Sequence, residues 1–234
     1  MSEQIEGRNA VLEAFRSGKC VDKLFILDGC QDGPVRTIVR EAKKHGSQDG
    51  PVRTIAREAR KTDTIINYVS KERLDQLSET RAHQGVIAQV AAYEYSTVDE
   101  ILARAEEKGE APFLILLDNV EDPHNLGAII RTAEAAGAHG VIIPKRRSAS
   151  LNATVFKTSA GAASWLPVAR VSNLAATIDM LKENGVWIYG TDGEGQSYTE
   201  VKLTGPIGLI VGSEGFGMGR LIKDKCDFLL SLPM

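Results

Sequence analysis

The chain is short of several things, and each shortage removes a class of answer. Its cysteines are few and odd in number, Cys20, Cys30 and Cys226, and lack metal-site spacing. That argues against a disulfide framework and fits a reducing compartment, with the cytoplasm as default. Hydrophobic residues make up 43% of the 234 residues, yet no apolar run is long enough to span a bilayer, so a soluble protein with real cores is expected. Neither charge predominates: Lys plus Arg is 28 against 31 Asp plus Glu, a net of -3. A wholly basic coat is excluded, and any nucleic-acid surface must be local. The amino terminus, Met-Ser-Glu-Gln-Ile-Glu, has neither a basic start nor an apolar core, so no export signal is expected. Gly215, Gly217 and Gly219 do not make G-x-G-x-x-G, because position 220 is Arg, and no P-loop signature occurs. Dinucleotide and P-loop enzymes are thereby set aside, and no Asp, His or Cys set has metal-ligand spacing.

What is present is an alternation of short apolar runs with amphipathic stretches. Strands are expected at Lys23 to Leu27, Ile65 to Val69 and Gly85 to Ala92, between basic helices, giving a small α/β domain over residues 1–92. Tyr93 to Thr97 reads as a linker. From residue 98 to 234 a helix at Val98 to Lys108 is followed by strands at Phe113 to Leu117, Val141 to Ile143, Val186 to Tyr189, Ile207 to Val211 and Phe228 to Leu232. Strands alternating with helices predict a parallel sheet, whose functional loops lie at the strands' carboxyl ends.

Two such loops are rich in chemistry. Residues 118 to 137 run from the buried strand Phe113 to Leu117 into a helix whose apolar stripe is Leu126, Ile129, Ile130 and Ala133. Asn125 is placed to cap its first turn and Gly137 to close its last, while Arg131 falls about 140° from Leu126, off the stripe. Taken alone, Asn125 is explained by capping and Arg131 by a solvated surface. The second loop, Gly208 to Ile222, leaves the strand Ile207 to Val211 through Gly212-Ser-Glu-Gly-Phe-Gly-Met-Gly. Its Glu214 repels phosphate and tolerates a cation. Gly190-Thr-Asp-Gly-Glu-Gly reads as a third loop of this type. Lys145-Arg146-Arg147, just beyond Val141 to Ile143, is the sharpest basic cluster and suits an RNA backbone. Few aromatics lie near it, which favours recognition by shape over base stacking.

The segments around Asn125 and Glu214 resemble motifs one and two of the SpoU/TrmH-type RNA ribose 2′-O-methyltransferases of the SPOUT superfamily. His83-Gln84-Gly85-Val86-Ile87-Ala88 is similar to the segment that ends that family's RNA-binding domain. The resemblance is nearest to the branch that methylates a guanosine of 23S ribosomal RNA. It implies an amino-terminal RNA-binding domain, a parallel-sheet SPOUT domain of trefoil-knot type, S-adenosylmethionine as cofactor, ribosomal RNA as partner, and a homodimer. Carried over by position, the catalytic set is Asn125, Arg131 and Glu214. The cofactor contacts are Thr191, Gly193, Ile210, Gly212 and Leu232, and Lys145, Arg146 and Arg147 face the RNA. The family's motif-one arginine is credited with activating the hydroxyl. A guanidinium with a pKa above about 12 is a poor base, so stabilising a developing alkoxide is the competing role for Arg131. His124 is the competing base.

Two departures carry expectations. Phe228-Leu-Leu-Ser-Leu-Pro-Met leads toward motif three, but the sequence stops at Met234, before that motif's Asn and final helix. An incomplete knot, exposed apolar surface and impaired activity are expected, so an RNA-binding remnant stands beside the enzyme, and a tRNA ribose methyltransferase beside both. Residues 31–47 are repeated almost unchanged as 48–64, a tandem duplication of one helix where relatives have one. Val35, Ile38, Val39 and Ala42 recur as Val52, Ile55, Ala56 and Ala59, so one copy is surplus: it packs beside the domain or exposes its stripe. Added basic surface and a functionless duplication are the open readings.

Overall fold

The computed structural model describes residues 3–17, 19, 21–28, 55–56, 58–59, 64–90 and 93–232. The chain forms two compact units, Met1–Glu94 and Tyr95–Met234.

The first unit is built on a sheet of order β1-β4-β2-β3, from β1 (Glu3–Glu6), β2 (Val21–Leu27), β3 (Ile65–Val69) and β4 (Val86–Val90). The β2–β3 pair is parallel and the β4 pairs are antiparallel. Helix α1 (Arg8–Arg16) buries Val11, Ala14 and Phe15, and α2 (Lys71–Leu77) buries Leu74 under an N-cap in which Ser70 accepts the Arg73 amide. Ile55, Ala56 and Ala59 are buried with Val11, Leu24, Ile26 and Val86 in one core. Three residues of the second repeat copy's apolar stripe therefore fill this core, while Val52 and the first copy lie outside the described residues.

The second unit holds a wholly parallel sheet of order β10-β8-β9-β5-β6-β7. Its strands are β5 (Phe113–Leu117), β6 (Gly140–Pro144), β7 (Val168–Val171), β8 (Trp187–Ser197), β9 (Ile207–Val211) and β10 (Phe228–Ser231). The helices are α3 (Val98–Lys108), α4 (Pro123–Ala135), α5 (Ala153–Thr158), α6 (Leu174–Glu183) and α7 (Arg220–Lys223). On one face Leu114, Leu116, Ile142, Ile188 and Ile210 pack with Ile101 of α3 and Ile178 of α6. Alternation turns Ile115, Leu117, Val141 and Ile143 the other way, and they are buried too, which is why these strands read as unbroken apolar runs.

Helix α3 starts on a capping box between Thr97 and Glu100 and ends on Gly109 at φ 67°. Of the segment expected as a linker, Tyr95 to Thr97 belong to this unit, and the Ser96 amide bonds Val168 O at 2.9 Å. Helix α4 corrects the sequence reading: its N-cap is Asp122, whose carboxylate accepts the His124 amide, with Pro123 opening the helix. Asn125 lies inside the first turn, so capping does not explain it. Gly137 does close the helix, at φ 78°. Strand β8 is also longer than expected. It continues past Gly190, and the pairing with β10 jumps from Gly190 to Gln196, so the glycine loop is a bulge inside a strand.

Candidate active site at the carboxyl edge of the parallel sheet

Strands β5 and β9 are neighbours whose connections leave in opposite directions, β5 toward β6 and β9 toward β10. In an open parallel sheet that reversal opens a crevice at the carboxyl ends, where ligands bind. The two motif loops flank it.

They are joined directly. Asp118, first residue after β5, is 8% exposed; its Oδ2 accepts the Gly219 amide at 2.7 Å, and its own amide donates to Val211 O at 3.0 Å. Between these anchors the β9 loop closes on itself, with Ser213 N to Gly217 O at 3.0 Å and Gly217 N to Ser213 O at 2.9 Å. Ser213 Oγ accepts the Phe216 amide at 3.3 Å, and Gly217 takes the left-handed conformation at φ 64°. Gly212 is required by close approach: a Cβ there would lie 2.2 Å from Gly217 C and 2.4 Å from Met218 N.

The basic loop after β6 is tied to the same edge. The Ala149 amide donates to Val120 O at 2.8 Å, linking it to the β5 loop. Arg170 Nη2 reaches Lys145 O at 3.4 Å, its guanidinium sits 5.4 Å from the centre of the Tyr95 ring, and Tyr95 Oη accepts the Leu151 amide at 2.8 Å. Lys145 is half-buried, Arg146 and Arg147 are exposed, and Arg147 has φ 54°. Asp118, Tyr95 and Arg170 were missed from sequence. Asp118 alone had a local signal, as a carboxylate directly after a buried strand.

Asn125 and Arg131 are exposed on α4, about 9 Å apart along its axis and about 120° apart around it. Glu214 is exposed on the β9 turn. Among the described residues these three side chains make no hydrogen bond or ion pair with one another. On the β8 bulge Thr191 Oγ1 donates to Ile210 O at 3.1 Å and Gly193 faces open space. The Ile210 side chain belongs to the core, leaving its backbone as the part near the edge, and Leu232 is exposed. Asp192 holds the bulge to α7 through Lys223 at 2.9 Å. That bond lowers the pKa of the carboxyl and raises that of the amine. Burial pushes the Cys226 thiol up to about 11, out of the nucleophilic range.

Loops of opposite character thus meet at one edge: a backbone-lined glycine turn bearing a carboxylate, a helix bearing an arginine, and a basic loop. Residues 112–234 match the SpoU rRNA Methylase family. Residues 4–48 and 44–96 each match the family described as RNA 2'-O ribose methyltransferase substrate binding, a split that falls on the duplicated helix. A Bacillus subtilis protein whose name places YacO among TrmH family tRNA/rRNA methyltransferases is 46% identical over all of this chain and 88% of its own length. A Staphylococcus saprophyticus protein assigned by name to the same family is 43% identical over 98% of this chain and 86% of its own. Among solved structures, the SpoU methyltransferase AviRb from Streptomyces viridochromogenes, in complex with AdoMet, has the same fold with a TM-score of 0.55. That alignment covers 100% of this chain and 81% of AviRb at 24% identity. With a matching catalytic-domain family and relatives this similar over its whole length, the chain belongs to the SpoU/TrmH family of RNA methyltransferases.

Proposed function

We propose that this chain transfers a methyl group from S-adenosylmethionine to a ribose 2′-hydroxyl of ribosomal RNA, a guanosine of the 23S molecule, in the cytoplasm. The observation that carries the reading is the Asp118–Gly219 bond, which locks the glycine turn to the arginine-bearing segment across the crevice. S-adenosylmethionine supplies an electrophilic methyl on a cationic sulfur. The residues present fit such a group: Gly193 is open, the tight packing at Gly212 exposes backbone rather than side chain, and Glu214 favours positive charge. Thr191, Gly193, Ile210, Gly212 and Leu232 hold it, chiefly through backbone atoms.

The remaining work is positioning. Lys145, Arg146 and Arg147 grip phosphates, and Asn125 orients the ribose. Arg131 holds the adjoining phosphate and stabilises the alkoxide as the 2′-hydroxyl gives up its proton to solvent water, the role a permanently charged guanidinium performs best. Glu214 accepts hydrogen bonds from the target base. The amino-terminal unit supplies the rest of the RNA contact, in keeping with its substrate-binding match.

The test is transfer of labelled methyl from S-adenosylmethionine to unmodified 23S ribosomal RNA and to transfer RNA, with the label mapped to ribose or base. Ribose label on 23S RNA is expected. Arg131→Ala should lower the rate at least 100-fold and change RNA affinity less than tenfold, as loss of a charge-stabilising donor does. Label on transfer RNA alone would move the substrate. A folded chain that binds RNA but transfers nothing would replace the reading with that of an RNA-binding remnant, and an unchanged Arg131→Ala rate would remove the mechanism.

A further inference from the structure

Phe216 stands at the tip of the β9 turn and is 97% exposed. Isolated exposed apolar side chains are ordinary, but this one is mounted on a backbone with little freedom. The Ser213–Gly217 bridge closes the turn beneath it, Ser213 Oγ takes its amide, Met218 is buried behind it, and the Asp118–Gly219 bond anchors the end. An aromatic ring with two torsions on a fixed support loses little entropy when a flat partner covers it.

Its surroundings select the partner. Glu214, two residues earlier, repels phosphate and accepts from amino and imino groups, so the turn suits a base better than a backbone. Two strands away in the same sheet, about 10 Å across, the loop bearing Lys145, Arg146 and Arg147 suits the backbone instead. Unstacked RNA bases are held on aromatic faces wherever a protein reads single-stranded segments. The scarcity of aromatics near the basic cluster had pointed away from stacking; the fold brings one to the same edge from about seventy residues away along the chain.

We propose that Phe216 is a stacking platform for an unstacked RNA base next to the methylated ribose, an inference that rests on the RNA-methylation reading above. Trp165 is the internal control. It is 76% exposed but precedes β7, at the amino edge of the sheet.

The experiment measures binding to a 23S RNA fragment and, separately, methyl transfer to it. Phe216→Ala should weaken binding and raise KM for RNA by roughly 5- to 100-fold, the range of one lost base stack. The affinity for S-adenosylmethionine and kcat at saturating RNA should stay within twofold. Phe216→Trp should restore affinity, with its added emission quenched by RNA, and Trp165→Ala should change nothing. Binding within twofold of the parent for Phe216→Ala, or no rescue by Phe216→Trp, would overturn the proposal. So would a lowered sedimentation coefficient in Phe216→Ala, which would make the ring a contact with a second copy. If the parent transfers no methyl, the functional reading fails, and the binding and emission changes still decide whether Phe216 stacks.

Discussion

Two surface loops in this protein are held rigid by opposite means. In the first unit, the loop from Ser78 to Gly85 is held by side chains. The Glu6 carboxylate accepts from Gln4 Nε2 at 2.8 Å, the Glu79 amide at 2.6 Å, Ser78 Oγ at 2.6 Å and Thr80 Oγ1 at 2.5 Å. Arg8 Nε donates to Gln84 O at 3.0 Å, and Arg81 and Gln84 take left-handed conformations at φ 59° and 51°. In the second unit, the turn from Gly212 to Gly219 is held mainly by its own backbone and by missing side chains. The first device depends on a charge and so on pH. The second depends mainly on the absence of atoms, and a single methyl group breaks it.

The sharpest way to break the second loop is Gly212→Ala. The new Cβ meets backbone atoms at 2.2 to 2.6 Å that cannot rotate away, so the turn must shift. Overpacking of this kind costs about 1–3 kcal/mol, and titration calorimetry should show S-adenosylmethionine affinity reduced by roughly 100-fold or more, as misplaced positioning groups do. Removing the anchor instead of crowding the turn should do less. Asp118→Ala leaves the Gly219 amide without its acceptor, a loss of about 1–3 kcal/mol in thermal or urea unfolding, and roughly tenfold weaker cofactor binding. Asp118→Asn keeps an acceptor oxygen and should recover most of it; equal loss in both variants would show that the anchor is not a hydrogen bond.

The smallest effect is expected in the first loop, and it should track pH. Partial burial alone would raise the Glu6 pKa, but bonds from Ser78, Thr80, the Glu79 amide and Gln4 outweigh it and hold the carboxyl at about 2, below the ordinary 4.5. A carboxyl depressed by folding contributes stability above about 4.5 and loses it as pH falls toward 2. Glu6→Gln should therefore cost about 1 kcal/mol at pH 7, and the cost should shrink as pH is lowered through that window. Amide exchange at Glu79 and Arg81 is the local readout. A cost independent of pH would remove the charge from the account.

How much of this was legible in the sequence follows from range. The bounds of α3, β3, β5 and β9 came out as expected because each is set by its own residues: a capping Thr97 with Glu100, or a short run of mainly apolar, β-favouring residues. Strands β1 and β7 went unseen, since four residues each carry too little pattern. The tail of β8 read as a loop because only its partner β10 makes it a strand. Asn125 was misplaced by local pattern itself: Asp122 before Pro123 was the stronger start signal. The catalytic candidates rest on motif resemblance. Asp118 as an anchor, Phe216 as an exposed ring and Tyr95 under Arg170 were not, because each depends on residues brought together only by the fold. Gly127 belongs with them. A Cβ on it would lie 1.9 Å from Thr158 Oγ1, a close helix crossing that no spacing rule announces.

The place of β9 in the sheet also governs when the crevice comes into being. Its two walls are about ninety residues apart along the chain, and β9 lies between β5 and β8 although it follows both in sequence. Contacts so distant in sequence form slowly and late. The nascent chain therefore completes its first unit, and strands β5 to β8 emerge, while the crevice still lacks a wall.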